Sequence, residues 1–207
     1  MSTTRSARLR REAWGFAWGS LLFLVGAVPF YARAVGTPLD DLTFFVGALF
    51  FTAAALIQLA VSGRRPPRLG VNRADAFDWW AAAVQFAGTL FFNASTADAL
   101  ITALNSSTRL NSGWRPDAFG SVCFLVASAF AVAATTERDK LWDPKARTWR
   151  CTWLNMLGSI FFGLSAIGAY VIPSTTDLVS LFWANLGTFL GAACFLAAAL
   201  LSRRSPG

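Results

Sequence analysis

Six apolar runs, each about 20 residues long and set apart by polar, Gly- or Pro-containing segments, divide this chain of 207 residues. Runs of that length leave few folding options. At a rise of about 1.5 Å per residue, 20 helical residues cross a hydrocarbon layer of about 30 Å. Lipid offers the backbone no hydrogen-bond partner, so a continuous segment in it must satisfy its own N–H and C=O groups as a helix. The runs cover residues 14–34, 39–61, 77–92 or 77–104, 118–135, 153–172 and 178–201; the third either stops at Phe92 or, the reading favoured here, continues to Leu104 with its polar part, including Asp98, at or above the interface. The composition agrees: 55% of residues are hydrophobic, 14% are charged and the mean hydropathy is +0.49, more apolar surface than a soluble domain of this size buries. The sequence therefore reads as all-α, an integral membrane domain spanning residues 1–207 with six transmembrane helices.

The charges orient it. Fifteen of the 18 Lys and Arg residues fall in the N-terminal segment, the loops at 62–76 and 136–152, and the C-terminus. The other three, Arg33, Arg109 and Arg115, fall on the opposite side. The positive-inside rule then places both termini in the cytoplasm of a plasma-membrane protein. The N-terminal apolar run is too long for a signal-peptide core and lacks a small-x-small cleavage site, so it reads as a retained first helix. The net charge of +7 is accounted for by topology, with anionic lipid as its partner and no nucleic acid.

The first and fifth runs match at an offset of 139, pairing Trp14 with Trp153, Gly19 with Gly158, Ser20 with Ser159, Phe23 with Phe162 and Tyr31 with Tyr170. The second and sixth match at 140 through Gly47 and Gly187, Ala53 and Ala193, Leu56 and Leu196, Ser62 and Ser202, and Arg64 and Arg204. A duplicated two-helix unit follows, giving three parallel-oriented helical hairpins over residues 12–64, 77–136 and 150–204. The pattern Trp-x4-Gly-Ser-x2-Phe, followed by a turn and a second helix with an internal Gly and a Ser/Arg end, resembles the two-helix YrhK-type membrane domain. The run from Gln85 to Asn93 is similar to a segment of bacterial multi-span proteins of that kind. The resemblance is strongest over residues 149–204 and implies topology; the family brings no activity with it.

Histidine is absent, which removes His-ligated metals, His-ligated haem and imidazole acid/base chemistry. Cys123, Cys151 and Cys194 lie on three separate segments without metal or redox spacing. No paired carboxylates, activated nucleophile or phosphate loop is present, so the chain reads as a non-enzyme without a cofactor. What remains is a set of polar side chains at membrane depth: Gln85, Asn93, Asn155, Asn185 and Thr188, with Asp98 above the third helix. An amide in lipid needs a partner, so each should face another helix or a wet cavity, and together they are candidate pathway-lining residues for an ion or small solute. A non-transporting module that binds lipid or a partner membrane protein is the alternative. Asp41 and Asp177 read as helix caps, and the paired Phe residues 44/45, 50/51, 91/92 and 161/162 as lipid-facing bulk or, alternatively, an apolar gate or a pocket for an amphiphile. The Gly15/Gly19 and Gly187/Gly191 spacings mark close helix packing, within the chain or between copies of a homo-oligomer.

Overall fold

A computed structural model describes residues 3–63, 65–68, 70–105, 115–138, 141–175 and 177–203, with side chains from Ser6 onward. Most of the Ser/Asn-rich loop at 105–116, and the cations Arg64, Arg109, Lys140 and Arg204 counted above, lie outside that set. The described residues form seven helices: α1 (Thr3–Gly26), α2 (Pro29–Val35), α3 (Thr37–Ser62), α4 (Arg73–Leu104), α5 (Pro116–Arg138), α6 (Arg147–Gly168) and α7 (Leu181–Ser202). Of these, α3, α5, α6 and α7 are long and apolar enough to cross a membrane, and α1 with α2 makes a fifth if the bent pair counts as one span.

The first apolar run is not one helix. Pro29 has no N–H to continue the ladder, and its ring pushes Val28 to an extended conformation (φ −85°, ψ 114°). α1 therefore stops at Gly26, and α2 leaves it at an angle of 80°. Gly36, at φ +82°, then turns the chain into α3, a conformation that a side chain resists. α4 does run on to Leu104 as the sequence suggests, and Asn72 caps its start by accepting a hydrogen bond from the Ala74 N–H at 2.9 Å.

Two expected caps are different. Ser180, not Asp177, caps α7, its hydroxyl accepting from the Trp183 N–H at 3.3 Å. Asp177 lies earlier, in a short return where Val171 bridges Leu178. Asp41 sits inside α3, whose N-terminus is set by Gly36 with proline in the first turn.

The helices pack as three antiparallel pairs, α1 with α3, α4 with α5 and α6 with α7. Contacts of α3 with α4, α5 with α6, and α7 with α1 join the pairs. Six helices thus close a ring. Each carries the same motif, a Gly followed four residues later by a Phe: Gly19/Phe23, Gly47/Phe51, Gly88/Phe92, Gly120/Phe124, Gly158/Phe162 and Gly191/Phe195. Within every pair the contact is reciprocal. The Phe23 ring lies on Gly47 and the Phe51 ring on Gly19; Phe92 lies on Gly120 and Phe124 on Gly88; Phe162 lies on Gly191 and Phe195 on Gly158. A Cβ built at Gly191 would stand 2.7 Å from the Phe162 ring, and one at Gly47 2.8 Å from Phe23, so only glycine lets the rings seat.

These contacts shift one register. Phe23 and Phe162 hold the expected offset of 139, but Gly47 corresponds in packing to Gly191, one helical turn beyond Gly187. Gly187 instead meets the backbone of Phe161 and Ser165. A four-residue slip keeps the same helix face, so an Ala- and Leu-rich sequence scores nearly alike in both registers. The glycines read as packing sites are used within the chain: Gly15 on Ala54, Gly19 on Phe51, Gly187 on α6 and Gly191 on Phe162.

Candidate functional site

All six Phe rings point to the middle of the ring, where they are between 3% and 8% exposed. Neighbouring centroids are 5.1 Å apart for Phe92 and Phe124, 5.4 Å for Phe23 and Phe51, and 5.5 Å for Phe162 and Phe195, most of the contacts edge-on or tilted. In lipid, moving a ring from acyl chains to a protein interior gains little by transfer, so dense packing and quadrupole geometry have to hold the cluster. Such aromatic pairs contribute about 0.5–1.5 kcal/mol each. The paired aromatics divide by face: Phe51 and Phe92 point in, while Phe50 and Phe91, 39% and 41% exposed, point out.

A polar vestibule lies on either side of the phenyl cluster. The first, about 210 Å³, opens at the end where α1 starts and α7 finishes. Phe51, Phe124 and Phe195 form its floor, and Glu12, Gln58, Gln85 and Asn155 supply its polar walls. The second, about 310 Å³, opens at the other end. Phe23, Phe92 and Phe162 form its floor, and its polar walls include Asp40, Asp41, Arg115, Asp117, Asn185 and Thr188. The phenyls are therefore two layers of three, one facing each vestibule. The space enclosed among Phe23, Phe51, Phe92, Phe124 and Phe162, about 0 Å³, has no room for a water molecule.

Of the residues singled out from sequence, Gln85 and Asn155 come together in the first vestibule and Asn185 and Thr188 in the second. Thr188 is also tied into the α6–α7 contact, sharing a 2.8 Å hydroxyl bond with Ser165 and donating to the Ala184 carbonyl at 2.9 Å. Asn93 lines neither vestibule: its amide N–H donates to Thr52 Oγ1 at 2.8 Å and joins α4 to α3. Asp98 is exposed on the outer part of α4. Sequence reasoning passed over Glu12, which ends a run of basic residues and looks solvated. Yet Arg8, Arg10 and Arg11 are exposed, while Glu12 Oε2 is buried without a partner, as is Gln58 Oε1 beside the same vestibule.

The end of the ring that carries the first vestibule is held by polar ties. Arg138 at the end of α5 bonds Asp75 and Asp78 on α4, both at 2.6 Å, and the Arg203 guanidinium lies 3.8 Å over the Trp14 ring. Trp142, Trp149 and Trp153 form a ladder of ring contacts, with the Trp149 indole N–H donating to the Leu141 carbonyl at 2.8 Å. Among the described residues no group of three or more Asp, Glu or Cys side chains is placed to hold a metal ion. No protein-family model, curated protein or solved structure matches this chain.

Proposed function

We propose that this chain is a membrane-embedded pathway for an ion or small solute, closed in this conformation by the double layer of phenyls. The observation that carries the reading is the coincidence of three features on one axis: a closed ring of helices, one inward Phe from each of its six members, and a polar vestibule against each side of that plug. Hydrophobic constrictions of this kind gate by excluding water, and an ion pays its desolvation cost only while the constriction is dry. In this reading all six long helices span the plasma membrane as three hairpins of one orientation, with both termini cytoplasmic. α4 falls short of the hydropathy of a span because it carries Gln85 and Asn93, and the first faces a vestibule while the second bonds Thr52. Lipid would see the apolar remainder of that helix. One chain closes the ring alone, so self-association, which mass measurement in detergent would count, would set several pathways side by side.

The test is flux. Purified protein in liposomes should pass little ion current as wild type, and the Phe92→Ala/Phe124→Ala double variant, which removes one ring from each layer, should raise it at least tenfold. A folded double variant that leaves the liposomes as tight as wild type overturns the pathway. A second reading, a lipid-binding module, draws on an outward apolar groove of about 490 Å³ between α5 and α6, lined by Phe119, Val122, Leu125, Ile160, Leu164 and Ile167. It expects no flux from either protein, and lipid that stays bound through detergent purification.

A further inference from the structure

We infer that the first vestibule is a binding site for a small monovalent cation, held by Glu12 and Gln58, and that the pathway is cation-selective. The inference takes its route from the pathway reading, but its binding test stands apart from it. Among the described residues lining this cavity, Glu12 is the sole charged side chain and no Lys or Arg is present, although the same end of the molecule carries most of the chain's cations. Its Oε2 is buried and bonds to nothing, and Gln58 Oε1, at the same cavity, is buried and also bonds to nothing. Two buried acceptor oxygens without a protein donor, one of them on a carboxylate, therefore belong to side chains that line a cavity of about 210 Å³. Leaving buried acceptors unpaired is costly, more so for a charged group. A cation with its remaining water would satisfy both oxygens and balance the carboxylate.

The ligand set also selects the class of ion. Divalent metals at all-protein sites draw on several carboxylates, and Ca²⁺ takes six to eight oxygens in all. One carboxylate and one amide oxygen, with Gln85 and Asn155 lining the same cavity, suit K⁺ or NH₄⁺. The second vestibule has the same sign. Among its described lining residues Asp40, Asp41 and Asp117 stand against Arg115, which lies 3.9 Å from Asp117, and Asp40 Oδ1 is another buried oxygen without a partner. Among the described lining residues, both vestibules thus carry excess negative charge.

The experiment is a thermal-stability titration of the full chain in detergent with KCl and NH₄Cl, against N-methyl-D-glucamine chloride at matched ionic strength. K⁺ or NH₄⁺ should raise the wild-type midpoint in a saturable way. Glu12→Gln should weaken the apparent affinity at least tenfold, and Gln58→Leu, which removes the second oxygen, severalfold. Equal midpoints in all three chlorides, or an unchanged titration in both variants, would overturn the site. Selectivity is read separately, from the reversal potential of the Phe92→Ala/Phe124→Ala variant under a KCl gradient. A value near the K⁺ equilibrium potential supports the inference; a value near zero or near that of chloride refutes selectivity and leaves the pathway standing. Absence of current with a saturable K⁺ titration refutes the pathway and leaves the site.

Discussion

Adding one methyl group at Gly191 tests the reciprocal glycine–phenylalanine packing with an internal control. The new Cβ would lie 2.7 Å from Phe162 Cδ2 and 3.0 Å from the Gly158 carbonyl oxygen. The ring cannot swing aside, because Phe195 at 5.5 Å, Phe92 at 5.6 Å and Phe23 at 6.0 Å surround it, and the carbonyl belongs to helix backbone. Either the ring leaves its place or α7 moves away from α6. Overfilling a packed site costs typically about 1–3 kcal/mol. Replacing Gly by Ala in a helix also gains up to about 1 kcal/mol from propensity, which blurs the absolute value. Gly163→Ala removes that ambiguity: it has the same propensity gain on α6, and its Cβ would touch Leu125 alone, at an ordinary 3.4 Å. The difference between the two variants should therefore be about 1–3 kcal/mol. At roughly 2–4 °C per kcal/mol for a chain of this size, Gly191→Ala should melt a few to about ten degrees below Gly163→Ala. Unfolding followed by circular dichroism in one detergent, at one scan rate, measures it. Equal midpoints would show that the rings do not rest on the glycines, and the ring of helices would lose its organising contact.

Further outcomes follow from the same contacts. Ser180→Ala should cost about 0.5–2 kcal/mol of stability through loss of the α7 cap, and Asp177→Ala within about 0.5 kcal/mol, a contrast that melting midpoints resolve. Arg138→Ala breaks two short ion pairs to Asp75 and Asp78, but all three side chains are 43% to 63% exposed, so the loss should stay below about 2 kcal/mol and shrink in high salt. Asn93→Leu should leave any flux of the phenyl double variant within twofold, because Asn93 spends its amide on Thr52 outside both vestibules. A tenfold loss there would place Asn93 on the pathway.

Much of this architecture is written in the sequence, and its omissions have physical causes. Helix limits at α3, α5 and α7 fall within about three residues of the apolar runs, because run length and Gly or Pro punctuation report hydrocarbon crossing directly. The break at Val28 and Pro29 is also legible in principle, yet the run stays apolar through it, and hydropathy carries no information about the N–H that proline lacks. The Gly-x3-Phe motif is visible six times, once its two residues are read as a contact between helices instead of as separate signals for packing and bulk. Attention to Gly-x3-Gly spacing hides it and pulls the last helix one turn out of register. Glu12 is not legible: its neighbours Arg10 and Arg11 are exposed, and only the three-dimensional path of α1 against α7 carries its carboxylate inward.

Water access on the two sides of the phenyl layers decides the account most directly. In a chain with Cys123, Cys151 and Cys194 replaced by alanine, single cysteines at Asn155 and Asn185 would be labelled in sealed, oriented vesicles by a membrane-impermeant maleimide. The account expects Asn155→Cys to react solely from the side that holds the N-terminus and Asn185→Cys solely from the other. Reaction of both from one side, or of neither from any side, would contradict two vestibules separated by a closed plug.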